Sequence, residues 1–264
     1  DEFLTENLKK GPAGCGCAVA KDGEILFEKY YGYADIEKKK PITEKSIFRQ
    51  FSTTKVVVCT AAMILFERGK FLLQDPISEY FPEWKDTMVA EKREDGTYTI
   101  RPAKRPIQVR DCFTMSMGIG YFGDDYTHQM AMKVRQELAQ ENPNYTLRQE
   151  IKAMSKVPIQ FDPGTRWLYG FGHELVAGLI EVVSGKTVGE FLREEIFEPL
   201  GMNSTGYRYF GDLREQMVTL YNRKEDGSLE PMKAFMDERH EPECRYEAGG
   251  AGLFSSVSDY LAFS

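Results

Sequence analysis

An α+β fold is what this sequence predicts, from three features: a β-hairpin near the start, an apolar helix opening at about Ser52, and a series of capped helices after it. Residues 1–10 read as a short polar helix. Small residues from Gly14 to Ala20, the turn Lys21-Asp22-Gly23-Glu24 and the alternating stretch Glu24 to Tyr31 predict the hairpin, because Asp-Gly supplies the positive φ angles of a tight turn. From Val56 to Phe66 apolar residues run around every helical face, and Gly69 follows where a C-terminal cap belongs, which predicts a central, buried helix. Asp75-Pro76 starts a short helix closed by Phe81-Pro82. A second hairpin is expected between Met88 and Val109, turning at Glu94-Asp95-Gly96-Thr97, with Pro102 and Pro106 on an exposed edge.

The next helix begins at Arg110 and stops near Gly118, and Gly118 to Tyr126 reads as a surface loop able to form one wall of a cleft. Helices follow at 127–141 and 146–156, the second opened by a Thr146/Gln149 capping box. Leu175 to Val183 is an apolar helix ended by Gly185, and Thr187 with Glu190 caps another that runs to about Phe197. Met217 to Tyr221 is a strand paired through Glu225-Asp226-Gly227-Ser228. The glycine-rich segment Ala248 to Ser256 leads into a helix from Ser258.

The central helix is also where chemistry is expected. Ser52 falls in its first turn and Lys55 lies three residues on, on the same face, so their side chains can meet. A serine hydroxyl needs a neighbour to take its proton, and a buried lysine can do so when its amine is neutral. The helix N-terminus adds backbone N–H groups that favour negative charge on a substrate oxygen. A Ser-x-x-Lys occurs about once by chance in a chain of this size, so the spacing alone does not decide.

Composition bounds the alternatives. The 264 residues are 42% hydrophobic and 28% charged, and no apolar run approaches the ~20 residues of a membrane span. A net charge of -7 with scattered basic residues argues against nucleic acid. The five cysteines lack metal-ligand spacing, and Cys15 and Cys17 would share a strand face as small hydrophobes, so neither a disulfide framework nor a zinc site is expected and a reducing, cytoplasmic compartment is. His128, His173 and His240 share no ligand spacing, so no metal is expected.

Several strings together resemble the serine β-lactamase and penicillin-binding protein superfamily, in its class C-like branch, which includes the family VIII esterases. Phe51-Ser52-Thr53-Thr54-Lys55 is similar to the Ser-x-x-Lys motif and Gly69 to Ile77 to the segment after it. Val109 to Ile119 resembles the "VRDLLTHTSGL" element, Pro163 to Tyr169 the approach to Tyr-x-Asn, and Ala248 to Ser256 the "GGGLFSS" segment. The order of these strings is hard to obtain by chance. The resemblance implies a β-lactamase/transpeptidase-like fold, an antiparallel sheet flanked by helices with an all-helical region at about 70–200, in one domain over residues 1–264. It implies Ser52 as nucleophile, Lys55 as proton acceptor and Tyr169 as a second base, with Met117, Gly170 and Phe171 at the substrate and no cofactor. The bland alternative for Tyr169 is a hydrogen-bonded core tyrosine next to Trp167.

Two departures qualify the resemblance. Tyr169-Gly170-Phe171 stands where the family's β-lactamases have Tyr-Ser-Asn or Tyr-Ala-Asn, which removes an amide-recognising group and favours an ester or another apolar acyl group. The third motif, Lys-Thr-Gly or His-x-Gly on a C-terminal strand that would carry one oxyanion-hole N–H, has no match. The expectation is therefore a serine hydrolase truncated at its C-terminus, with a C-terminal fragment as a partner completing the sheet and a small-molecule or peptide-like acyl substrate. Carboxylesterase, β-lactamase, penicillin-binding D-Ala carboxypeptidase or D-amino-acid peptidase, and a catalytically weak scaffolding or ligand-binding relative all stay open.

Overall fold

The computed structural model describes residues 1–9, 11–234 and 236–264, so Lys10, the last residue of the first expected helix, lies outside the described residues. In chain order the elements are α1 (Glu2–Leu8), β1 (Gly14–Lys21), β2 (Glu24–Asp35), β3 (Lys40–Pro41), β4 (Phe48–Arg49), α2 (Thr54–Glu67), β5 (Met88–Lys92) and β6 (Tyr98–Pro102). The helices α3 (Val109–Phe113), α4 (Tyr126–Glu141), α5 (Leu147–Met154), α6 (Gly172–Ser184), α7 (Val188–Leu192), α8 (Glu198–Leu200) and α9 (Leu213–Gln216) follow. The chain then forms β7 (Leu220–Arg223), β8 (Leu229–Met232), β9 (Phe254–Ser255) and α10 (Val257–Phe263). This is the mixed α+β, β-lactamase-like composition that the motifs imply, and among the described residues no helix is long and apolar enough to cross a membrane.

The contacts divide the chain into two compact units. One comprises residues 1–51, 193–244 and 252–264 and holds an antiparallel three-stranded sheet in the order β1-β2-β3, the β4-β9 pair and the β7-β8 hairpin. Its first turn puts Asp22 and Gly23 at φ +53° and +79°, the pair of positive angles that an Asp-Gly hairpin turn supplies. Ile47, Leu213 and Phe254 form a buried cluster extended by Tyr209 and Met217. His240 is buried against Phe254, its Nδ1 2.9 Å from the Tyr207 carbonyl.

The other unit comprises residues 52–192 and 245–251. Its centre is α6, in which every residue from Gly172 to Ile180 is buried, packed against α2, α3, α5 and α7. The second hairpin, β5 with β6, lies within this unit and ends at Pro102 rather than near Val109. The Thr146/Gln149 capping box opens α5, and Gly185 at φ +73° closes α6.

The structure departs from the sequence reading at α2. Its buried stripe (Thr54, Lys55, Val57, Val58, Ala61, Ala62 and Leu65) meets α6 and α7, whereas Val56 and Met63 on the other flank are 54% and 37% exposed. An apolar residue on every face does not guarantee a neighbour on every face. The helix also starts later than expected, because Phe51–Thr53 form a turn of 3₁₀-helix that holds Ser52 just ahead of α2.

Candidate active site

Ser52 is exposed on that 3₁₀ turn, while Lys55, one turn further on, is buried. The spacing brings them together: Lys55 Nζ donates to Ser52 Oγ at 3.3 Å and to the Gly250 carbonyl at 2.5 Å. Phe51, immediately before the serine, has φ +42°, a left-handed conformation that costs a side-chain-bearing residue energy and is concentrated at functional sites.

Tyr169 arrives from a different part of the unit. An antiparallel bridge between Gly120 and Gly170 joins the segment after α3 to the segment before α6, with Tyr121 N donating to Tyr169 O at 3.1 Å and Phe171 N to Ile119 O at 2.9 Å. The bridge sets Tyr121 and Tyr169 side by side, their rings edge to face at 5.4 Å. Tyr169 Oη then lies 2.5 Å from Ser52 Oγ, and Lys55 Nζ sits 4.7 Å over the Tyr169 ring and 5.1 Å over the Tyr121 ring. Burial works to raise the Tyr169 phenol, but hydrogen bonding to Lys55 and Ser52 and the Lys55 charge outweigh it and hold it below its ordinary value. A hydroxyl flanked by an amine and an acidified phenol can pass its proton to either, which is the arrangement nucleophilic acyl transfer needs.

None of the three residues expected at the substrate presents an exposed side chain beside Ser52. Phe171 is fully buried, stacked on Trp84 at 6.4 Å with the Arg135 guanidinium over its ring, and Met117 is likewise buried, so neither side chain is exposed beside Ser52. Gly170 works through its backbone, since a Cβ there would fall 1.8 Å from the Ile119 carbonyl oxygen. Exposed apolar rings instead flank the two tyrosines: Trp167, stacked on Tyr169 at 6.3 Å, and Phe122, edge-on to Tyr121 at 6.4 Å, are 69% and 80% exposed.

The sequence reading missed the polar groups packed behind Tyr121. Glu174, on the buried face of α6, accepts a hydrogen bond from Tyr121 Oη at 3.2 Å. Burial, reinforced by the Glu150 charge, pushes its carboxyl up to about 7 against the pull of Lys55, Arg135 and the Tyr121 hydrogen bond. The neighbouring His173 is driven down to about 4 by burial and by Lys55. The available signal was a lone acidic residue at the entrance of an apolar helix, five residues after Tyr169. Among the described residues no group of His, Cys, Asp and Glu is arranged to hold a metal.

Known proteins share this architecture. The chain is 24% identical over 265 residues to Esterase EstB of Burkholderia gladioli, covering 94% of this chain and 64% of the relative. It is 28% identical over 250 residues to Lovastatin esterase of Penicillium rubens, covering 93% and 61%. It thus spans about three-fifths of the length of these relatives. Among solved structures, EstCE1, described as a hydrolase with promiscuous acyltransferase activity, superposes with a TM-score of 0.81 at 20% identity, over 99% of this chain and 69% of that one, a likeness of fold. The family model described as Beta-lactamase matches residues 3–264, nearly the whole sequence on which this site is built, and the chain belongs to the beta-lactamase family.

Proposed function

We propose that this chain carries the catalytic centre of a serine hydrolase that acts through a Ser52 acyl-enzyme, with esters as its preferred substrates. The observation that carries the reading is the convergence of Lys55 Nζ and Tyr169 Oη on Ser52 Oγ, at 3.3 Å and 2.5 Å. In the first half-reaction Ser52 Oγ attacks the substrate carbonyl carbon and its proton passes to the Lys55–Tyr169 pair. The C–O bond to the leaving group then breaks, and Tyr169 protonates the departing alkoxide. Water repeats the sequence on the acyl-enzyme. The backbone N–H of Ser52 is the oxyanion donor that this chain supplies in the reading.

The ester preference rests on the exposed rings of Trp167 and Phe122, which offer an apolar acyl or alkoxy group stacking area, and on two relatives named as esterases. A small-molecule or peptide-like acyl compound is the substrate class, one β-lactamase-like domain the unit of function, and the cytoplasm the compartment suited to five unpaired thiols.

The test is intact-mass spectrometry after exposure to a fluorophosphonate, alongside rates on p-nitrophenyl acetate and a chromogenic cephalosporin. The expected result is one adduct on Ser52, absent from Ser52→Ala, with ester turnover exceeding cephalosporin turnover. No adduct on folded protein, or equal turnover by Ser52→Ala, refutes the hydrolase; faster cephalosporin turnover refutes the ester preference.

A further inference from the structure

Behind the Ser52–Lys55–Tyr169 cluster lies a carboxylate that the reaction above does not use. Glu174 is 5% exposed, and only one of its oxygens is engaged: Oε1 takes the Tyr121 hydrogen bond, while Oε2 has no hydrogen-bond partner among the described residues. A half-satisfied buried carboxyl is costly and calls for an explanation. Three contacts tie it to the catalytic lysine. Tyr121, its donor, carries Lys55 Nζ over its own ring and leans edge-on against Tyr169. Gly250, whose carbonyl accepts from Lys55, has its open face against the same pair, since a Cβ there would meet Tyr121 Oη at 2.1 Å and the Glu174 carboxylate oxygens at 2.9 Å. One backbone position therefore packs on the acid and holds the base.

We propose that Glu174, held by Tyr121 against Gly250, is a positioning residue that sets how readily Tyr169, beside Lys55, gives up and takes back its proton. The proposal rests on the acyl-transfer reading given above. The groups facing Glu174 are Lys55 from α2, Tyr121 from the loop after α3, Arg135 from α4, Glu150 from α5, Tyr169 from the bridged segment, His173 on α6 itself, and Tyr246 from residues 245–251. Arg135 and Tyr246 are both committed to Glu150, the first at 2.7 Å, and His173 stays neutral across the working range. That leaves Tyr169, beside Lys55, as the group whose protonation answers to Glu174. The Glu174 charge, present above about pH 7, raises the Tyr169 phenol; the neutral carboxyl does not. The phenolate form of Tyr169 thus emerges at higher pH while Glu174 can ionise.

The test is the pH dependence of kcat/KM for p-nitrophenyl acetate, from pH 5 to 10, in the wild type, Glu174→Gln, Glu174→Asp and Tyr121→Phe. Glu174→Gln keeps the shape and removes the charge, so its acidic limb is expected to move to lower pH by about one unit. Glu174→Asp keeps the charge and returns the limb toward the wild-type position. Tyr121→Phe removes a donor that favours the carboxylate, keeps Glu174 neutral to higher pH, and moves the limb the same way by less; it also carries the test if Glu174→Gln does not fold. Superimposable acidic limbs in the wild type and the folded variants overturn the proposal. Fluorophosphonate labelling of wild-type Ser52 separates the two levels: labelling with unmoved limbs refutes the role of Glu174 alone, whereas no labelling refutes the acyl-transfer reading on which it depends.

Discussion

Replacing Gly170 by alanine tests whether the glycine-to-glycine bridge is what delivers Tyr169. The added Cβ would lie 1.8 Å from the Ile119 carbonyl oxygen and 2.7 Å from Gly120 Cα, both backbone atoms that no rotamer change can move aside. Relief requires the two segments to part by more than 1 Å, since real Cβ contacts respect about 3.0 Å. Parting them lengthens the Tyr121–Tyr169 and Phe171–Ile119 backbone bonds, now 3.1 and 2.9 Å, inside a buried stretch. Two net hydrogen bonds and the desolvated groups left behind amount to roughly 3 kcal/mol of stability. The same displacement carries Tyr169 Oη away from Ser52, and a misplacement of about 1 Å at reacting groups costs on the order of 100-fold in rate. Urea unfolding and kcat/KM on p-nitrophenyl acetate measure both quantities on one preparation. An alanine variant within 1 kcal/mol and a few-fold of wild-type activity would refute the argument that backbone proximity at this bridge aligns the tyrosine.

Two further outcomes follow from buried charge. Arg135 donates to Glu150 at 2.7 Å, with the carboxylate side chain only 3% exposed, so Arg135→Leu strands a buried anion and is expected to lower unfolding stability by about 3–5 kcal/mol in urea titrations. Glu181 is pushed up to about 7 by burial and the Glu247 charge, from an ordinary 4.5, so its contribution is fully present below pH 4.5 and lost as pH rises through 7. Glu181→Gln removes that penalty: thermal unfolding is expected to match wild type at pH 4 and to exceed it by about 6 °C at pH 8.5, corresponding to about 3 kcal/mol.

Much of the fold is local and therefore legible in order along the chain. Asp22-Gly23 encodes a hairpin turn because few other pairs tolerate two positive φ angles, and Thr146 with Gln149 opens α5 because the two side chains satisfy each other's neighbouring N–H groups. Ser52 and Lys55 met as expected for the same reason, since three residues at the start of a helix span a single turn. The reading of α2 as buried on all faces failed at Val56 and Met63 because hydrophobicity records which residues can be buried, and only the arrangement of other elements decides which are.

The meeting of Ser52 with Lys55 and the elements that carry them were thus determined by sequence alone, through spacing and turn chemistry. Tertiary structure decided the rest. Phe171 and Met117 were expected at the substrate from their places in motifs, but the side chains pack inward, and Trp167 and Phe122 supply the exposed apolar surface. Tyr121, Glu174 and Gly250 are 53 to 129 residues apart in pairs that meet within a few ångströms, by way of a bridge between two glycines and a helix entrance that no local pattern announces. A proton-balancing environment is a property of distances between groups from separate segments, and those distances exist only once the chain has folded.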